Sequence, residues 1–252
     1  MPDESAAEQA EQAERLLTLL WRHEVPPRPA TRGPRQGISV DDVVRAGVSI
    51  ADRDGYDKVS IRAVAAELGL GPMTLYTYVP NKWALIVLMV DAVAAEDAPI
   101  DTELPLRDRL AAIAGAVRSE LLRHPWLLEV PPWRLVLGPG RLGRFERQLA
   151  AVEGIGLTDV EMDRVITVLS DFATGNARMA VAARRSAREM TDAQWWDVHG
   201  PLLTRVLPGE RFPLSSRVGA TVGQIYQAPG DPEDAFEYGL ERLLTGIRAE
   251  LS

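Results

Sequence analysis

The stretch Val59-Ser-Ile-Arg-Ala-Val-Ala-Ala-Glu-Leu-Gly-Leu-Gly-Pro-Met-Thr-Leu-Tyr-Thr-Tyr-Val-Pro-Asn-Lys82 decides the fold. Ser60 suits an N-cap, because its hydroxyl can accept from an unpaired amide of the first helical turn. Ile61, Val64, Ala65 and Leu68 follow at helical spacing and give one apolar face. Ala65 is small where a second helix must cross closely. Gly69 stands where a helix needs a left-handed terminating residue, and Leu70 plugs the gap behind it. Pro72 fits the first turn of a new helix, since the amide it lacks would be unpaired there anyway. Leu75 and Val79 can face back into a small core. Met73, Thr74, Tyr76, Thr77 and Tyr78 are left to point outward.

Two short helices joined by a glycine turn form the layout of a helix-turn-helix, whose second helix enters the DNA major groove. Two tyrosines and two threonines on an outer face suit phosphate oxygens and thymine methyls. Taken singly, Tyr76 also suits a core aromatic, Thr74 a helix cap, and Arg62 and Lys82 ordinary solvated charges. Their joint spacing favours DNA.

The segment resembles the DNA-binding domain of the tetracycline-repressor (TetR) family of bacterial transcription regulators. Ser60, Arg62, Ala65, Leu68, Gly69, Thr74-Leu75-Tyr76, Tyr78-Val79 and Asn81-Lys82 carry the match, with Val40 to Tyr56 matching the family's first helix and its exit turn. The resemblance is specific over roughly residues 38–90 and one of layout beyond. It implies that Met73 and Thr74, at the start of the recognition helix, meet base edges or thymine methyls, with Pro72 and Thr77 in the same DNA-binding set. It implies that Tyr76 touches the backbone or a base, Tyr78 and Lys82 hold phosphates, Ser60 bonds a phosphate and Arg62 reaches a guanine or a phosphate. Gly71-Pro72 departs from the longer polar side chains usual there, which leaves fewer base contacts.

Around this motif the chain divides into 1–37, 38–84 and 85–252. The first is an extension whose Glu4–His23 reads as a helix with Leu16, Leu17, Leu20 and Trp21 as an apolar patch. Pro26, Pro27, Pro29, Gly33 and Pro34 then forbid regular structure, and Arg28, Arg32 and Arg35 make that linker basic. The extension is either a flexible tail or an arm lying along DNA, and its apolar patch suggests that the helix packs onto something, the other subunit being one candidate. Residues 38–84 form the three-helix DNA-binding domain. Ser39 with Asp42 reads as a capping box, and Val40, Val43, Val44, Gly47, Ile50 and Ala51 as the buried stripe. A linking helix is expected over 83–97.

Net charge is −8, an odd balance for a DNA binder. Its distribution accounts for this: residues 28–90 hold eight Lys/Arg against six Asp/Glu, while the flanking segments are acidic. The basic part would face DNA and the rest would orient the molecule.

Residues 85–252 read as helices throughout, so the class is all-α, with a larger helical ligand-binding and dimerisation domain after the helix-turn-helix. Helices are expected over Leu106–Arg123, Pro139–Val152, Thr158 to about Arg185, from Thr191 through Trp196, and Asp231–Leu251. Small residues Ala173, Ala177 and Ala180, with Phe236, Leu240, Leu243, Leu244 and Ile247, are expected to join a homodimer, which would place two recognition helices one DNA turn apart on a near-palindromic operator. Trp126, Trp133, Met162, Phe172, Asn176, Met179, Trp195 and Trp196 are candidates to line a pocket for a small, largely apolar effector, though each also suits plain core packing.

Other functions have weaker signals. Gly138-Pro-Gly-Arg-Leu-Gly143 matches the dinucleotide pattern, but no βαβ unit surrounds it. His23, His124 and His199 sit in no metal-ligand motif, no nucleophile elbow is present, and no catalytic residue, cofactor or metal is expected. The chain has no cysteine, excluding disulfides and thiolate chemistry. No apolar run suits a membrane span and no signal peptide opens the chain, so a cytoplasmic location is expected. The resemblance therefore implies a ligand-responsive regulator, a repressor released from or retuned on its operator, with activation through the same DNA contacts left open; a helical protein-interaction module and, remotely, a nucleotide-binding enzyme are the alternatives.

Overall fold

The computed structural model describes residues 2–24, 37–132, 135–206 and 211–251. Among these, every regular element is helical: α1 Pro2–Leu20, α2 Val40–Asp54, α3 Ile61–Glu67, α4 Pro72–Leu75, α5 Lys82–Ala94, α6 Leu106–Arg123, α7 Pro139–Val152, α8 Asp159–Ser186, α9 Asp192–Val206, α10 Pro213–Tyr226 and α11 Pro232–Glu250. The chain forms two compact units. One contains residues 1–109 and 123–162; the other contains 110–122 and 163–252.

In the first unit the core runs through Val43, Ile50, Val64, Leu75, Val79 and the whole middle of α5. Ala84 to Met89 are buried without a break, as befits a helix apolar on all sides. The capping box of α2 is present: Ser39 Oγ accepts from the Asp42 amide at 3.2 Å, and Asp42 Oδ2 accepts from the Ser39 amide at 2.8 Å. Helix α1 is no loose tail, since Leu16 and Leu20 enter this same core, while Leu17 stays exposed. The Trp21 indole N–H donates to the Leu137 carbonyl at 3.2 Å, and Arg22 and His23 reach Asp41. Burial pushes the Asp41 carboxyl up, but hydrogen bonds from Arg22 and His23 outweigh it and hold the carboxyl below its ordinary range. This tie therefore stabilises at neutral pH and is lost as pH falls through that lowered value. Arg28, Arg32 and Arg35 of the linker lie outside the described residues.

The glycines of the dinucleotide-like stretch have a packing role. Asp91 on α5 accepts from the Gly140 and Arg141 amides at 3.1 and 2.9 Å, capping the start of α7. A Cβ on Gly138 would lie 2.5 Å from the Asp91 carboxyl, and one on Gly140 only 2.0 Å from the Asp91 carbonyl oxygen. Gly138 and Gly140 thus let α5 and α7 touch.

In the second unit, Leu110, Ile113, Val165, Leu169, Ala173, Ala177 and Leu244 are buried. At the start of α8, still within the first unit, Glu161 Oε2 accepts from both the Thr158 amide and the Thr158 hydroxyl at 2.8 Å, one half of the expected capping pair. Thr191 caps α9 by accepting from the Gln194 amide at 3.2 Å. Helix α10 is an addition to the expected set. Its Gly223 lies under Trp196, whose ring a Cβ there would meet at 2.0 Å, so Trp196 closes α9 onto α10.

Candidate nucleic-acid interface

Ser60 caps α3, its hydroxyl accepting from the Ala63 amide at 3.1 Å. The helix ends at Leu68, and Gly69 takes φ 67°. The Leu70 amide then donates to Ala65 and the Gly69 amide to Ala66, at 2.8 and 3.1 Å. This paired closure satisfies the last carbonyls and fixes the turn angle. Pro72 opens α4, a single turn followed by tighter bonds from Thr77 to Thr74 and from Tyr78 to Leu75. Leu75 and Val79 are fully buried and anchor this turn.

What remains outside is a polar and aromatic face. Arg62, Pro72, Thr74 and Thr77 are exposed, Met73 is 78% exposed and Tyr76 43%. The Thr77 hydroxyl donates to the Thr74 carbonyl at 2.7 Å, which leaves its oxygen free to accept. Asn81 caps α5 by accepting from the Ala84 amide at 2.8 Å. The Lys82 ammonium beside it lies 5.0 Å from the centre of the Tyr56 ring, a contact that orients a cation without neutralising it. Arg53 pairs with Glu67 and Asp54, so the acidic side chain closest in sequence to the turn is already compensated.

Tyr78 corrects the expectation of an outward face, because it is 9% exposed and belongs to the core. The cause is the brevity of α4. Past Leu75 the backbone tightens, and helical spacing no longer tells which side a residue faces.

One contact group ties α2 to the segment that follows α6. Asp52 Oδ1 accepts from Trp126 Nε1 at 2.9 Å and lies 2.8 Å from His124 Nδ1. Trp126 is 1% exposed and packs into the core of the first unit. That removes it from the expected effector pocket. Its indole is buried for packing and for one carboxylate, and nothing at sequence level linked it to Asp52, 74 residues away.

In the second unit a polar and aromatic centre joins α6, α8 and α11. Arg118, buried, donates from Nε to Asn176 Oδ1 at 2.7 Å and pairs with Glu233 at 2.8 Å. Asn176 in turn donates to the Pro232 carbonyl at 2.8 Å. The Arg118 guanidinium lies 4.6 Å from the Phe236 ring centre, and Phe236 stacks on Phe172 at 5.5 Å. Phe172 also lies over Gly239, so that α8 and α11 pack closely. Arg118 escaped sequence reading, because an arginine inside an amphipathic helix looks like a solvated charge until its partners are known.

Several expected pocket and interface residues are placed elsewhere. Met179 is 62% exposed, so it lines no enclosed pocket in the chain as described. Met162 is buried at the start of α8, in the first unit. Trp195 stacks on His199 at 4.2 Å, and Trp133 lies outside the described residues. Ala173, Ala177, Ala180 and Leu244 are buried by their own chain and not held for a partner. Phe236 stacks internally, and Leu240, Leu243 and Ile247 are half-buried. Small residues permit close approach of helices, but their spacing cannot say whether the approaching helix is the chain's own.

An all-helical chain with a capped helix-turn-helix, an outward set of hydroxyl, aromatic and basic side chains, and a second helical unit is a DNA-binding regulator in class. Residues 43–89 match the family described as bacterial regulatory proteins, tetR family, and residues 98–251 match the tetracyclin repressor-like C-terminal domain. The chain belongs to the TetR family of transcription regulators, and as such it is a transcription factor and not an enzyme. It is 37% identical over 237 residues to the HTH-type transcriptional repressor DrrR1 of Streptomyces coeruleorubidus, covering 92% of this chain and 84% of that protein. It is 27% identical over 222 residues to the class E tetracycline repressor of Escherichia coli, covering 85% and 92%. The crystal structure of ActR from Streptomyces coelicolor in complex with actinorhodin superposes with a TM-score of 0.70 at 26% identity, covering 85% of this chain and 97% of that one. No helix among the described residues is long and apolar enough to cross a membrane.

Proposed function

We propose that this protein is a homodimeric repressor that reads a near-palindromic operator and is released from it by a small, largely apolar effector. The observation that carries the DNA part is the pairing of a rigid inner face, Leu75 and Val79, with an outer face of Met73, Thr74 and Tyr76. Arg62, Ser60 and Lys82 flank that face and supply phosphate contacts. Residues 38–84 do the reading, 85–252 carry the effector response and the dimer, and 1–37 is an extension. Support for an effector comes from ActR, which has been crystallised with actinorhodin. Phe172, Asn176, Trp195 and Trp196, together with Arg118, are the side chains of the second unit that remain suited to sensing one.

The DNA reading is tested by fluorescence anisotropy on labelled DNA from upstream of the protein's own gene. Thr74→Ala/Tyr76→Ala is expected to weaken specific binding by about 2–3 kcal/mol, the scale of one or two lost base or backbone contacts, with no change in melting temperature. Equal, weak binding of wild type and variant to all DNA would favour the protein-interaction alternative.

On this reading the dimer face is the exposed side of α8 and α11. Val168 and Met179 are 46% and 62% exposed, and Tyr238 is 62% exposed. Gly175 and Gly246 have open space where a Cβ would be, so packing within the chain does not require them. Bare glycines between exposed apolar side chains fit a second helix pair at close range. Met179→Asp/Tyr238→Asp is expected to give monomers in light scattering and to lose high-affinity operator binding. An unchanged mass would remove this face from the dimer.

A further inference from the structure

We propose that the cavity between α1 and the first turn of α5 is a second small-molecule site, shaped for an organic cation with a flat aromatic part. The cavity measures about 600 Å³ and lies wholly within the first unit. That volume suits a drug-sized molecule. Its floor is apolar, with Leu16 and Ala84 buried there, and Trp83 stands in its wall 43% exposed. Glu8 and Glu11 line the opposite helix against a single Arg15, so the lining is net negative. Neither glutamate has an ion-pair partner among the described residues.

The helix that forms this wall is anchored at one end only. Leu16 and Leu20 dock it, whereas residues 8–15 are all exposed and bury nothing. A helical half-length without a packed face is marginal in water, and a guest between it and Trp83 would supply the missing contacts. An indole face attracts a desolvated cation, and two carboxylates add to it. A neutral or anionic guest would gain from neither. The cavity also includes Asn81, the cap of α5, next to Lys82. Occupancy therefore bears directly on the DNA-facing end of the unit, separately from the effector response proposed above.

The test is calorimetric titration of the full-length, DNA-free protein with proflavine, a planar aromatic cation. Saturable binding is expected at this site, and both Glu8→Gln/Glu11→Gln and Trp83→Ala should weaken it about tenfold, the scale of one lost cation–aromatic contact. Glu8 and Glu11 are exposed, so the Glu8→Gln/Glu11→Gln variant should keep the wild-type melting temperature, and Asn176→Ala in the other unit should bind proflavine as wild type does. Absence of binding, or binding that all the site variants retain in full, would overturn the proposal.

Discussion

Replacing Gly140 with alanine is expected to cost the protein about 3 kcal/mol or more. The new methyl would stand 2.0 Å from the Asp91 carbonyl oxygen and 3.1 Å from the Ala95 amide nitrogen. Both obstacles are backbone, so no side chain can swing aside. Helix α7 must lift from α5, and the two amide bonds to the Asp91 carboxylate lengthen or break. Overpacking alone costs roughly 1–3 kcal/mol, and a hydrogen bond to a charged group contributes about 1.5–3 kcal/mol. At roughly 2–4 °C per kcal/mol for a chain of this size, the thermal midpoint should fall by about 10 °C. Gly143→Ala in the same stretch is the control. Its Cβ would meet only the Arg147 guanidinium at 3.3 Å, the far end of a flexible side chain. A helical alanine there should be neutral or stabilising by up to about 1 kcal/mol. Equal melting of both variants and wild type would show that the α5–α7 contact is looser than described.

Asp52→Ala is expected to be the second most damaging change. It leaves the Trp126 indole N–H and the His124 Nδ1 position without their acceptor. Each buried orphan costs about 1–3 kcal/mol, so a loss of roughly 2–4 kcal/mol should appear in urea denaturation. Asp52→Asn keeps an oxygen in place and should recover much of it. A stability in Asp52→Ala within about 0.5 kcal/mol of wild type, the usual range for plain surface substitutions, would refute the role of this carboxylate. The same variant should leave Thr74 and Tyr76 untouched, so its DNA contacts remain available wherever the unit stays folded.

The parts legible in the sequence were those governed by local rules. Ser60, Gly69 and Pro72 each answer a need of the backbone within a few residues, and the structure shows each in that role. The same holds for Ser39 with Asp42, and in part for Thr158, whose amide reaches the Glu161 carboxylate three residues on. The illegible parts depend on which distant surface arrives. Tyr78 turned inward because α4 stops after one turn. Ala173 and Ala177 were buried by their own chain, leaving Met179 outside on the same helix. Gly138 and Gly140 imitated a phosphate-binding pattern because α5 passes close by, a crossing that spacing within residues 138–143 cannot encode. Helix α10 went unassigned because its apolar residues Leu214, Val218 and Ile225 are largely exposed and two glycines interrupt it.

The unbroken burial of Ala84 to Met89 in the middle of α5 has a mechanical consequence. A shaft gripped along its middle cannot readily spin or slip in its bearing, so it transmits a push as a tilt of the whole block. At thirteen residues it is roughly 20 Å long. A tilt of about ten degrees at one end would swing Lys82 and the adjoining turn by roughly 3 Å over that length, about the span of a hydrogen bond. On the proposed reading, stiffness of this kind would turn a small angular input into the loss of all contacts made at the Lys82 end together, an abrupt response and not a graded one.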